Sequence, residues 1–124
     1  AYVIAHEVGH HVQNLLGVLP ATQRAQQQAG GRAEANAISV RTELMADCLA
    51  GFWAQRAQEM RGILERGDIE EGLAAAAAVG DDRIQAGHGA VRPESFTHGS
   101  AQQRVTWFRR GLQAEGVAAC DTFR

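Results

Sequence analysis

The stretch His6-Glu7-Val8-Gly9-His10-His11 decides how this chain reads. An α-helix advances 3.6 residues per turn, so on a helix His6 and His10 stand one above the other and can direct two imidazole nitrogens at one metal ion. Glu7 lies one step round from His6. There its carboxylate can reach a water on that ion without being a ligand, which is the position a general base for hydrolysis needs. With 5 His in 124 residues, such an H-E-x-x-H pattern arises by chance in roughly one chain in seventy, so the rest of the chain must support it.

Working outward, residues 1 to about 16 read as the first helix. Val3, Ile4, Val8, Val12, Leu15 and Leu16 supply a broad apolar surface and predict burial, and Gly17 and Pro20 stop the helix. Gly9 inside the motif weakens the helix against Ala, which implies tight packing on a neighbouring backbone. His11 points about 100° away from His10, so a packing or hydrogen-bonding role is expected of it rather than metal binding. The chain opens without Met, without a signal-peptide pattern and without a cap before the motif. It reads as a fragment that begins inside a helix.

Residues 21–28 are polar and Gln-rich, a short helical excursion broken by Gly30-Gly31. The second major helix is expected over about 34–64, with Ile38, Leu44, Met45, Leu49, Phe52, Trp53, Met60, Ile63 and Leu64 at core spacings. Gly67 ends it, and Asp68, with Glu71 three residues on, reads as the N-cap of a further helix that continues through the Ala74–Ala78 run. Gly80-Asp81-Asp82-Arg83 interrupts or ends that helix. A Gly- and Pro-containing loop then carries His88 and His98, a last helix covers about 100–113, and Gly116 onward is a tail. Nothing reads as a strand, so the expected class is mainly α.

Composition bounds the function. A chain of 124 residues has the length of one ordinary domain, and 45% hydrophobic with 21% charged residues is a globular composition. A net charge of −2 gives no attraction to nucleic acid, and no apolar run approaches a membrane span. All 12 basic residues are Arg, which points to no particular partner. Cys48 and Cys120 are open to three readings: one disulfide, free thiols, or pairing with residues outside this chain. Neither has a C-x-x-C neighbour, so neither is a good metal ligand.

A catalytic zinc site takes three protein ligands and leaves one position for water. The candidates to join His6 and His10 are Glu34, Glu43, Asp47, His88 and His98. Glu43 is best placed in kind, because Asp47 follows one helical turn later and the two carboxylates share a face. One can bind the metal while the other accepts the free N–H of a ligand histidine. Their apolar surroundings, Leu44-Met45-Ala46 and Cys48-Leu49-Ala50, predict burial, where an unpartnered carboxylate is costly. The plain alternative is an ordinary acid paired with Arg41.

The blocks AYVIAHEVGHHVQNLLG, RTELMADCLAGFWA, GDDRIQ, SFTHGSAQQRVTWFRRGL and CDTF together resemble the bacterial putative neutral zinc metallopeptidase family over nearly the whole chain. The resemblance implies a zincin-like core of the gluzincin kind, with one Zn2+ on His6, His10 and Glu43 and with Glu7 as base; the spacing argument adds Asp47 behind a ligand histidine. It also implies an amino-terminal, β-containing part upstream of Ala1, with a membrane anchor or extracytoplasmic location for the parent. Residues 1–124 would then be one such domain, truncated at its amino end. Thr97-His98-Gly99-Ser100 with Arg104 resembles the late T-H-P-S and Arg element of the prenyl-protein-processing and heat-shock membrane metallopeptidases, with Gly99 where they have Pro. That implies a catalytic, oxyanion-stabilising role for His98 and a substrate or oxyanion contact for Arg104; the plain alternative for His98 is a cap or loop hydrogen bond. Asp81, Asp82 and Arg83 either brace the site or only terminate a helix.

The expected function is zinc-dependent hydrolysis of a peptide or protein substrate, with Glu7 moving the proton. Two other readings compete: a non-catalytic zinc-binding helical interaction module, and a helical bundle with a chance motif. An extended peptide needs an edge strand or groove, and this chain offers no strand, so that part of the cleft is expected upstream.

Overall fold

The computed structural model describes residues 1–62, 64–65 and 67–123. Its helices are α1 (Tyr2–Leu15), α2 (Val18–Gln27), α3 (Arg32–Arg61), α4 (Asp68–Ala78), α5 (Asp81–Ala86) and α6 (Ala101–Gln113), with 3-10 turns at Pro93–Ser95 and Val117–Cys120. The protein is mainly α, with no strand among the described residues. Gly17, at φ 77°, breaks α1 from α2. Pro20 does not stop a helix but sits in the first turn of α2, where its missing N–H costs nothing.

The 30-residue α3 is the axis, and α1 and α6 pack on it most extensively. Small residues bring the backbones together. A Cβ on Gly9 of α1 would lie 2.6 Å from the Ala46 carbonyl oxygen of α3, so Gly9 is the tight crossing its place in the motif implies. On the other side of α3, a Cβ on Gly111 of α6 would lie 1.8 Å from the Cys48 carbonyl oxygen. One apolar cluster joins Tyr2, Ala5, Ala50, Ala76 and Phe108 across α1, α3, α4 and α6. A second joins Met45, Cys48, Leu49 and Cys120, with Val12, Val18 and Trp107 against it. Cys48 and Cys120 form a disulfide, which settles the three readings left open by sequence.

Several expectations are corrected. α1 is not buried through its large apolar residues: Val3, Ile4, Leu15 and Leu16 are 62–71% exposed, and the buried face is Tyr2, Ala5, His6, Gly9 and Gln13. The close approach at Gly9 selects that face, because α1 can reach the α3 backbone at Ala46 only through a residue without a side chain. In α3, Met60 is exposed and Trp53 partly so, since the last turns run beyond the core. Leu64 lies after the helix, which ends at Arg61. Ile63, expected in that core, and Arg124 of the tail lie outside the described residues. Asp68 is the first residue of α4 rather than its N-cap; Gly67 takes the cap position, and the Asp68 carboxylate accepts the Glu65 N–H at 2.6 Å. The Ala74–Ala78 run does serve close packing, with Ala76 fully buried.

Two perturbations probe this axis. Gly111→Ala is expected to destabilise by about 3 kcal/mol, because α6 must move off α3. Reduction of the disulfide, whose cysteines are 72 residues apart, is expected to cost about 4 kcal/mol. Both are read by urea unfolding, and an unchanged midpoint in either case would contradict the packing described.

Candidate metal centre

The site forms where α1 faces α3. His6 and His10 point from consecutive turns of α1, and Glu43 and Asp47 from consecutive turns of α3. His6 Nε2 stands 3.1 Å from Glu43 Oε1, and His10 Nε2 stands 3.0 Å from Glu43 Oε2. The other ring nitrogens are occupied. His6 Nδ1 donates to Asp47 Oδ1 at 2.8 Å, and His10 Nδ1 donates to Gln13 Oε1 at 2.8 Å. The Gln13 amide is oriented by its own donor, which bonds the Thr42 carbonyl at 2.8 Å. Sequence reasoning missed Gln13 and Tyr2. Their signal was available, since Gln13 is three residues after His10 and Tyr2 four before His6, both on the same helical face.

With each Nδ1 donating to a fixed acceptor, each Nε2 turns its lone pair toward the same carboxylate. Two imidazole lone pairs and an anion facing one another at 3.0–3.1 Å is an arrangement of acceptors, which only a proton or a metal cation satisfies. The charge balance agrees. Burial pushes the His6 pKa down, but the hydrogen bonds and charges of Asp47 and Glu43 outweigh it and raise the pKa to about 9. For His10, the bond to Glu43 outweighs burial and also raises it. Glu43 responds inversely: burial works to raise its pKa, yet bonding to His10 and His6 holds it well below the usual carboxylate range. Two neutral Nε2 donors and a carboxylate suit Zn2+, so the donor set fits the metal.

Glu7 is exposed, and its carboxylate accepts no hydrogen bond among the described residues. Ligand atoms of His6, Glu7 and His10 lie within 4.8 Å of one another. Glu7 is thus beside the histidines and unengaged.

Asp47 is fully buried and is the hub behind the site. Its Oδ1 accepts from the Tyr2 hydroxyl, from His6 and from Arg104 Nη2 at 3.2 Å; its Oδ2 accepts from Arg104 Nε at 2.8 Å. Arg104, expected at a substrate or oxyanion, is only 4% exposed and is spent on Asp47 and the Val79 carbonyl instead. Burial alone would raise the Tyr2 pKa, and the adjacent Asp47 charge raises it further, keeping the phenol a donor.

His98 comes to the rim of the site. Its Nε2 is 3.5 Å from Glu43 Oε1, and its Nδ1 shares a 2.9 Å hydrogen bond with the Thr97 hydroxyl. It does not cap α6, because Ser100 and Gln103 form that capping box. Glu34 bonds the Gly30 N–H, and His11 and His88 are exposed; none of the three joins the cluster. Arg41 is turned toward the Phe123 ring, 6.0 Å from its centroid, rather than paired with Glu43.

The family described as "Putative neutral zinc metallopeptidase" matches residues 1–123. The chain belongs to that family. Its relatives include the uncharacterized protein YpfJ of Escherichia coli K12, 56% identical over 123 residues, which cover 98% of this chain and 42% of that protein. The uncharacterized protein Rv2575 of Mycobacterium tuberculosis H37Rv is 55% identical over 132 residues, covering 98% of this chain and 43% of that protein. The chain therefore spans about two-fifths of the length of these relatives. No solved structure matches it. No helix among the described residues is long and apolar enough to cross a membrane.

Asp47→Asn removes the charge that balances buried Arg104, and is expected to cost about 3–5 kcal/mol of stability. With His6 no longer held by an ionised acceptor, zinc affinity should fall about 10–100-fold in competition with a chromophoric chelator. A folded Asp47→Asn protein with the parent's zinc affinity would remove Asp47 from the metal site.

Proposed function

We propose that this chain is the chemical centre of a zinc-dependent peptidase of the gluzincin kind, with His6, His10 and Glu43 holding one Zn2+. The observation that carries this reading is the convergence of two Nε2 atoms on one carboxylate, with both Nδ1 atoms fixed from behind and a free carboxylate, Glu7, alongside. When bound, zinc supplies a Lewis acid that polarises a peptide carbonyl and makes water acidic enough to give up a proton near neutral pH. Glu7 takes that proton, since it is beside the ligands and bonded to nothing else, and returns it to the amine that leaves. Asp47 and Gln13 keep the two rings in the Nδ1–H tautomer and at fixed rotation. If the Thr97 hydroxyl is the donor to its Nδ1, His98 carries Nε2–H at the rim of the site, 3.5 Å from Glu43 Oε1, where it would serve the oxygen that gains charge on the substrate carbonyl. Arg104 acts through Asp47, as its burial supports.

The substrate is a peptide or protein, and the remainder of its cleft belongs to the longer parent. An extracytoplasmic location is proposed as well, supported by the Cys48–Cys120 disulfide, because such bonds persist in oxidising compartments.

The test is zinc stoichiometry together with peptide-library cleavage by the full-length protein. Glu7→Gln should keep one zinc per chain and lose at least about 100-fold in kcat. Full cleavage by Glu7→Gln would sink the assignment of the base. Zinc without any cleavage by the parent would favour the non-catalytic binding module, and absence of zinc would favour a helical bundle with a chance motif.

A further inference from the structure

Resting on the peptidase reading, we propose that Asp81 is a positioning residue whose carboxylate grips the Thr97–Gly99 backbone and so sets the His98 imidazole beside Glu43. Asp81 Oδ2 accepts three consecutive backbone N–H groups, from Thr97 at 2.9 Å, His98 at 2.7 Å and Gly99 at 2.9 Å. The Asp81 N–H donates in return to the Gly99 carbonyl at 2.8 Å. The next two amides are also taken by side chains: Ser100 N–H by Gln103 Oε1 at 2.9 Å and Ala101 N–H by Asp82 Oδ1 at 2.8 Å. The backbone from 97 to 101 is thus held amide by amide. Gly99, at φ 106°, lets the chain turn about the carboxylate where a side chain would resist.

The His98 side chain is 49% exposed, and among the described residues its one hydrogen bond is between Nδ1 and the neighbouring Thr97 hydroxyl. A ring so little packed takes its position from its own backbone, and that backbone takes its position from Asp81. The resulting distances are 3.5 Å from Nε2 to Glu43 Oε1 and 3.8 Å from Nδ1 to Asp81 Oδ1. A merely structural role, fastening α5 to α6, accounts for less. α6 already has its own cap in Ser100 and Gln103, and Asp82 takes the amide of its first residue. The three N–H groups on Asp81 all precede α6, and they belong to His98 and the residues on either side of it. Charge-assisted bonds to an ionised carboxylate are also stronger than neutral ones, which suits a loop that must not drift.

The experiment compares the full-length zinc protein with Asp81→Ala, His98→Ala, the double variant and Asp81→Asn. Asp81→Ala is expected to keep one zinc per chain and an unchanged KM, and to lose kcat by the same factor as His98→Ala, about 10²–10³-fold. The double variant should be no slower than the slower single one. Asp81→Asn, which keeps an acceptor oxygen in place, should recover part of kcat, and it carries the test if Asp81→Ala does not fold. Independently of turnover, the NMR signal of the His98 ring Cε1–Hε1 should shift on zinc addition in the parent and shift less in the Asp81 variants. Losses that multiply in the double variant, or an unaltered His98 zinc response in the variants, would overturn the inference. If the parent cleaves no peptide, the peptidase reading fails, and the ring signal alone decides whether Asp81 places His98.

Discussion

One buried carboxylate organises this molecule. Asp47 has no exposed surface and would be intolerable alone at that depth, since an unpaired buried charge costs several kcal/mol. Its partners come from two other helices, Tyr2 and His6 from α1 and Arg104 from α6, while Asp47 itself sits on α3. Satisfying that charge therefore requires the fold to be assembled. No buried side-chain nitrogen or oxygen among the described residues lacks a partner. Removing Asp47 or Arg104 would leave the other an unpaired buried ion, and Tyr2 and His6 fill the remaining acceptor capacity of the carboxylate, so the network acts as a unit.

The same carboxylate connects stability to the candidate chemistry. Because Asp47 holds His6 Nδ1, the lone pair of Nε2 can only point away from it, toward Glu43. Gln13 does this for His10 from within α1, anchored by its own bond to α3. The rings are thus held from behind by one ionised and one neutral acceptor, and an ionised acceptor makes the imidazole the more basic donor. That difference, and not only the shared spacing of the motif, distinguishes the two histidines.

The sequence made the helical class, the α1 motif and the face shared by Glu43 and Asp47 legible, because each follows from helical spacing within one element. What it misjudged depends on contacts between elements. Val3, Ile4, Leu15 and Leu16 promised a buried face by apolarity, yet the close approach of Gly9 to Ala46 turned α1 onto its small and polar side. The pairing of Cys48 with Cys120 spans 72 residues and cannot be read from spacing. Arg104 looked available to a substrate because its burial arises only when α6 lies on α3. Tyr2 and Gln13 were within reach of the helical arithmetic that found His6 and His10, but an apolar-looking Tyr and a neutral Gln carry no charge to draw attention.

The two halves of the site are also fixed to one reference. α6 begins at the loop that carries His98, and one turn later it delivers Arg104 to Asp47. A slide or rotation of α6 would therefore disturb both the His98 rim and the hub behind His6. Such a motion is opposed where α6 crosses α3, because Gly111 and Gly51 bring the two backbones to a separation that leaves no room for even a Cβ on either side. The disulfide begins at Cys48, the residue after Asp47 and the one whose carbonyl Gly111 approaches. Close packing, cross-link and buried charge thus coincide on one turn of α3. The site proposed to be catalytic would need rigid support of that kind, and here the support is concentrated on the turn of α3 that carries Asp47, the partner of His6.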